Sequence, residues 1–199
     1  MAAVRKEQGS AGVSEGQDGS SETPVRVGVI SDTHGYLDPQ VPSLFEGVDL
    51  IIHAGDVGDP QILARLGEVA PVLAVAGNLN KDGRLDLPTE RADGVAGLRL
   101  AVGHKRKRLV KRLVGTNNSE FDLVVFGHDH IPSAAWIERT LWLNPGSASA
   151  PYEEDELPTV AIVQGMQNGL GVVFIPLERR KSPVASPSVK HGRGKSGGA

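Results

Sequence analysis

Residues 25–35 read VRVGVISDTHG. Four of the first six are β-branched, which favours a strand, and the run breaks into the polar loop Ser31-Asp32-Thr33-His34-Gly35. Two more short apolar runs follow, 49–53 (DLIIH) and 71–76 (PVLAVA). Between them, residues 60–69 set Ile62, Leu63, Leu66 and Val69 at helical spacing behind Asp59, a suitable N-cap. Strand, helix and strand at this spacing predict βαβ units and a sheet covered by helices, hence an α/β fold.

Further along, 97–102 (GLRLAV) alternates as a strand should, and 105–114 reads as a helix with Leu109, Val110, Leu113 and Val114 inward. Residues 121–126 (FDLVVF) form a nearly continuous apolar run, typical of a strand buried on both faces. Then the character changes. Short strand candidates at 134–139, 140–144, 159–164 and 171–176 are separated by turn residues with no clear helix. The first half is α/β and the second a strand-rich meander, which a two-sheet sandwich with outer helices accommodates.

The whole chain of 199 residues has a formal net charge of −3 and no cysteine. That excludes a disulfide framework, a cysteine zinc finger and a thiol nucleophile, and argues against a nucleic-acid binder with an overall basic field. Residues 1–24 are polar and aperiodic and read as a disordered leader without a secretory signal. Residues 179–199 carry six cations and no acid and read as a disordered basic tail. The domain between, 25–178, holds thirteen bases and twenty acids, so it is more acidic than the total suggests. No apolar run reaches the roughly 20 residues that span a bilayer. A cytoplasmic protein without membrane contact is expected.

The chemistry-bearing side chains fall at the ends of the apolar runs. Asp32 and His34 follow the first, Asp56 the second, Asn78 the third, and His128 and His130 the run at 121–126. Open α/β sheets bind ligands beyond the carboxyl ends of their strands, so these residues should converge on one edge. Imidazoles, carboxylates and an amide oxygen suit Mn, Fe, Co, Ni or Zn better than Ca or Mg. Any one set alone is explained by a turn or cap; all of them, in order and each at a strand end, are not.

The ordered set Asp32-Thr33-His34, Gly55-Asp56-Val57-Gly58-Asp59, Gly77-Asn78 and Gly127-His128-Asp129-His130 resembles the calcineurin-like metallophosphoesterases. Asn144-Pro145-Gly146-Ser147 and the short length resemble their small bacterial and archaeal phosphodiesterase branch, to which the retromer subunit of the same fold belongs. The resemblance implies a four-layer α/β/β/α sandwich of two mixed β-sheets with outer helices. It implies two divalent metal ions, manganese first among Mn, Ni, Fe, Co and Zn. Asp32, His34 and His130 would hold the first, Asp56 would bridge, and Asn78 with His128 would hold the second. The implied activity is hydrolysis of phosphodiesters or small phosphomonoesters by a water that the metal pair activates, with Asp56, Asn78 and His104 as the catalytic residues. The expected partner is a small phosphoester; a nucleic acid stays open but unsupported, and a homo-oligomer stays open.

Two departures stand out. Relatives carry a His-Gly-His stretch where this chain has Val102-Gly103-His104, so the usual histidine ligand is Val102. A site rebuilt on His104, a second metal lacking one ligand, and loss of that metal all remain open, with a substrate-side role the preferred assignment for His104. Asn80 also stands where an aspartate is usual. These departures sustain an alternative, an interaction scaffold on a phosphoesterase fold with weak or no activity. Finally, residues 105–112 hold six cations, read as a solvated helix face at the rim, with steering of anionic substrates as the other reading.

Overall fold

The computed structural model describes residues 24–79, 85–114, 120–150, 153, 156–166 and 169–178. Residues 1–23, the tail and Asn80 lie outside them.

Alternation along the first strand sets the layers. In β1 (Arg26–Ile30), Val27 and Val29 face one core while Ile30 faces another. β1 pairs in parallel with β2 (Leu50–His53), and β2 with β3 (Val72–Ala74). On the other side of β1 lie β9 (Thr159–Met166) and β10 (Gly169–Pro176), both antiparallel, which completes the order β10-β9-β1-β2-β3. The second sheet runs β4-β5-β6-β8-β7. Its centre is parallel, with β5 (Leu98–Gly103), β6 (Leu123–Val125) and β8 (Thr140–Asn144) side by side. β4 (Glu90–Val95) and β7 (Ser133–Ile137) are its antiparallel edges.

Between the sheets lies a core of Val27, Val29, Ile52, Leu100, Val102, Val125, Leu143 and their neighbours. Outside the first sheet, α1 (Val41–Leu44) and α2 (Pro60–Gly67) seat Val41, Ile62 and Leu66 on Ile30, Ile51 and Val160. The Asp59 carboxylate accepts the Gln61 N–H at 2.9 Å, so α2 is capped as expected. Outside the second sheet, Leu109 of the short α3 (Arg106–Leu109) covers Ala101, Val124 and Trp142. The result is an α/β/β/α sandwich of two mixed sheets with few and short helices.

Three local expectations change. The strands of the second half form no single meander: β7 and β8 finish the second sheet, and β9 and β10 cross back to the first. The helix expected over 105–114 is one α turn followed by a π turn at Val110–Val114. β4 escaped notice because its residues are half-buried or exposed and carry no apolar pattern. Among the described residues no helix is long and apolar enough to cross a membrane.

Candidate metal centre

Every candidate residue stands just past the carboxyl end of a parallel strand. Asp32 and His34 follow β1, Asp56 follows β2 and Asn78 follows β3, all from the first sheet. His104 follows β5, and His128 and His130 follow β6, from the second. The backbone there is unusual. Asp32, His34, Asp56, His128 and His130 all have φ between 47° and 76°, in the left-handed region. Seven non-glycine residues adopt such a φ among the described ones, and the other two, Ala96 and Glu138, sit in hairpin turns. Such backbone costs on the order of 1 kcal/mol or more each and persists where the surroundings impose it.

The loops are tied to one another by main-chain bonds. Asp32 N–H donates to Gly55 O at 3.0 Å, His34 N–H to Asp56 O at 3.0 Å, and Gly127 N–H to His104 O at 3.1 Å. Two glycines let them close. A Cβ on Gly55 would lie 2.6 Å from His104 Nδ1, and one on Gly127 would strike Ser31 Oγ and Asp32 Oδ2. Under the site, Ser147 and Ser149 hydroxyls each donate to Asp32 O at 2.9 Å, and Asn144 Nδ2 donates to Gly127 O at 3.2 Å.

Asp32 is fully buried and its two oxygens have different surroundings. Oδ2 accepts from Ser31 Oγ at 2.6 Å and from His128 N–H at 3.1 Å. Oδ1 has no hydrogen bond that meets ordinary geometry, yet lies 3.2 Å from His130 Nε2, 3.9 Å from His34 Nε2 and 4.0 Å from His104 Nε2. The two imidazole nitrogens His34 Nε2 and His130 Nε2 are themselves 3.2 Å apart. Asp56 repeats the arrangement: Oδ1 accepts Leu79 N–H at 2.8 Å, while Oδ2 faces His104 Nε2 at 3.3 Å. A second rim pair, Asn78 Nδ2 and His128 Nδ1, is 3.1 Å apart.

His104 therefore meets the carboxylates directly. Its ring is buried, and Nδ1–H donates to Ala54 O at 2.9 Å, which turns Nε2 toward Asp32 and Asp56. Val102, two residues earlier, is enclosed in the core between the sheets. β5 ends at Gly103, so His104 stands beyond the strand that holds Val102 in that core.

The electrostatics follow from this crowding. Burial alone would raise the Asp56 carboxyl, but the His104 imidazole beside it and the Leu79 N–H outweigh it and bring it down to about 2. Asp32 is likewise lowered against its burial by His130, Ser31 and His104. His130 is raised by the Asp32 carboxylate beside it, and His104 is raised against its burial by Asp56 and Asp32. His104 and His130, beside these carboxylates, thus favour their charged forms.

Two groups of donor atoms result, Asp32 with His34 and His130, and Asp32 with Asp56 and His104, each within 4.8 Å of one another. Lone pairs that converge without intervening donors need protons or a cation. Asp32 Oδ1 and His104 Nε2 are buried and lack a hydrogen-bond partner, which fits a divalent metal. The imidazole held by a backbone carbonyl is the usual outer-shell arrangement of a metal-binding histidine. Sequence reasoning did not single out Ser31, Ser149 or Asn144 as supports; their signal is a small polar side chain buried beside a charged one.

Comparison with known proteins supports the same reading. The family model for the calcineurin-like phosphoesterase superfamily domain matches residues 25–168. A protein of Methanocaldococcus jannaschii named a probable metallophosphoesterase is 35% identical over 164 residues, covering 76% of this chain and 81% of its own. A solved archaeal phosphodiesterase superposes with a TM-score of 0.61 at 19% identity, covering 76% of this chain and all of its own. Vacuolar protein sorting 29 of Cryptosporidium parvum does so at 0.59 and 17%, covering 79% and 100%. At these identities the two solved structures bear on the fold alone.

Proposed function

The chain belongs to the calcineurin-like phosphoesterase superfamily, and on that premise we propose that it is a metal-dependent phosphoesterase with a dinuclear centre acting on phosphodiesters or small phosphomonoesters. The observation that carries the reading is the pair of buried, unpartnered atoms Asp32 Oδ1 and His104 Nε2, facing each other across 4.0 Å with Asp56 Oδ2 beside them. Asp32, His34 and His130 would hold one divalent ion. Asp56 and His104, with Asn78 and His128 at the rim, would hold the other. Divalent cations in such a site supply Lewis acidity to phosphoryl oxygens and lower the pKa of water.

The residues of the chain do the positioning. Leu79 N–H fixes Asp56 Oδ1 so that Oδ2 points inward, and Ser31 with His128 N–H does the same for Asp32. Ala54 O selects the His104 tautomer that offers Nε2. In this reading His104, rather than the residue at 102, takes the place of the family's histidine ligand, and the departure lies instead in Lys105 and Arg106 after it. The scaffold alternative then rests on Asn80 and on the likeness in fold to vacuolar protein sorting 29.

Protein loaded with manganese or nickel is expected to hydrolyse bis(4-nitrophenyl) phosphate or 4-nitrophenyl phosphate and to stop when chelated. Asp56→Ala is expected to lose at least 100-fold in kcat/KM. Unchanged turnover in that variant, or less than one metal per chain by elemental analysis of metal-saturated protein, overturns the reading.

A further inference from the structure

Beside Asn78 and His104 opens a cavity of about 470 Å3, bordered also by Leu87, Thr89, Lys105 and Arg108. A volume of this order encloses most of a small-molecule ligand, far more than one phosphoryl group needs. The two cations on its wall differ in kind. Arg108 is engaged: Nε pairs with Glu90, and Nη2 donates to Thr89 Oγ1 at 3.2 Å. Among the described residues, no carboxylate forms an ion pair with Lys105.

Lys105 borders the cavity beside His104. Chain order explains the placement, since Lys105 directly follows the histidine whose ring faces the carboxylates. The neighbouring Arg106 is turned elsewhere, its guanidinium over the Phe126 and Trp142 rings at 5.6 and 5.2 Å. A cation on a concave wall that no carboxylate among the described residues pairs, in a domain otherwise rich in acids, is a selective counter-charge for an anion.

We propose, on the phosphoesterase reading above, that this cavity receives the non-reacting part of the substrate and that Lys105 selects esters whose non-reacting part carries a second anionic group, a carboxylate or a phosphate. The reacting phosphoryl lies at the carboxylate and histidine cluster, and the second anion meets the ammonium across the cavity. Lys105 is then a specificity residue, acting on KM rather than on kcat.

The test compares 4-nitrophenyl phenyl phosphate with its 4-carboxyphenyl and 4-phosphonophenyl counterparts, which share one leaving group and differ only in distal charge. Wild-type protein is expected to favour at least one charged ester by about fivefold in kcat/KM, carried by KM and shrinking as salt is raised. Lys105→Met is expected to remove that ratio, whereas Lys107→Met, an exposed cation outside the cavity, keeps it. Calorimetry supplies a second readout: 4-carboxybenzylphosphonate is expected to bind more tightly than benzylphosphonate, and to lose the advantage in Lys105→Met. Equal turnover of all three esters, or a preference that survives Lys105→Met, overturns the proposal and leaves the phosphoesterase reading standing. No turnover of any ester with manganese, nickel or zinc overturns both.

Discussion

His53 shows how a single buried side chain conditions the site's floor. Its ring is fully buried, Nε2 is 3.0 Å from Thr33 Oγ1, and Nδ1 has no partner. The Thr33 hydroxyl has one proton, and Val57 O at 2.9 Å accepts it. His53 Nε2–H therefore donates to the Thr33 oxygen, and the unpartnered Nδ1 is an acceptor, a lesser penalty than a stranded N–H. Burial holds this imidazole down at about 4, against 6.5 for a free one. Between those values the unfolded chain takes up a proton that the folded chain refuses. The His53 contribution to stability therefore falls as pH drops from about 6.5 toward 4, by roughly 3 kcal/mol when complete. Urea denaturation of metal-free protein at pH 7 and at pH 5 checks this. His53→Gln retains a donor to Thr33 and is expected to show a shallower acid loss than wild type; an equal loss refutes the assignment. Val102 makes a second prediction at this scale. Restoring a histidine there looks from the sequence like repair, but the side chain would enter the core between the sheets. Val102→His is expected to cost about 2 kcal/mol or more in denaturant unfolding and to leave the number of metals bound unchanged.

At the level of elements, helix α2 illustrates what periodicity discloses. Ile62 and Leu66 are buried, Leu63 and Val69 partly so, and Asp59 caps the first turn. Asp59→Ala is expected to destabilise by about 1 kcal/mol in urea without altering metal stoichiometry, since among the described residues the carboxylate serves only Gln61 N–H. The same local rules made β1, β2 and β6 readable, because apolar runs bounded by turn residues need no tertiary information. They did not disclose β4, whose partly exposed residues are held by pairing with β5 rather than by an apolar face. Nor did they tell that Gly103 ends β5, and with it the difference between His104 at the carboxylates and His104 a strand-length away. The left-handed backbone at Asp32, His34, Asp56, His128 and His130 was also hidden. Aspartate and histidine tolerate that conformation better than most residues, but the surrounding loops choose it.

Across the whole molecule, the candidate centre is where the two sheets are joined by charge rather than by apolar packing. Asp32, His34 and Asp56 come from the first sheet, His104, His128 and His130 from the second, and Asp32 Oδ1 faces histidines of both. In metal-free protein these loops rest on bonds such as His128 N–H to Asp32 Oδ2 and Gly127 N–H to His104 O. A cation held from both sides clamps the sheets at one edge, and because the ligands converge only in the folded chain, its binding energy becomes folding stability. At metal concentrations 100 times the dissociation constant the gain is about 2.7 kcal/mol per site, which for a domain of this size raises Tm by roughly 5–10 °C. Thermal unfolding of chelator-treated protein, repeated with added manganese, measures it. Asp32→Asn keeps the shape of the side chain but removes the charge shared by both donor groups, so its Tm is expected to respond little to metal. His53→Gln, which leaves every donor atom in place, is expected to retain the full rise. A metal-induced rise that persists undiminished in Asp32→Asn would locate the stabilising cation away from the seam between the sheets.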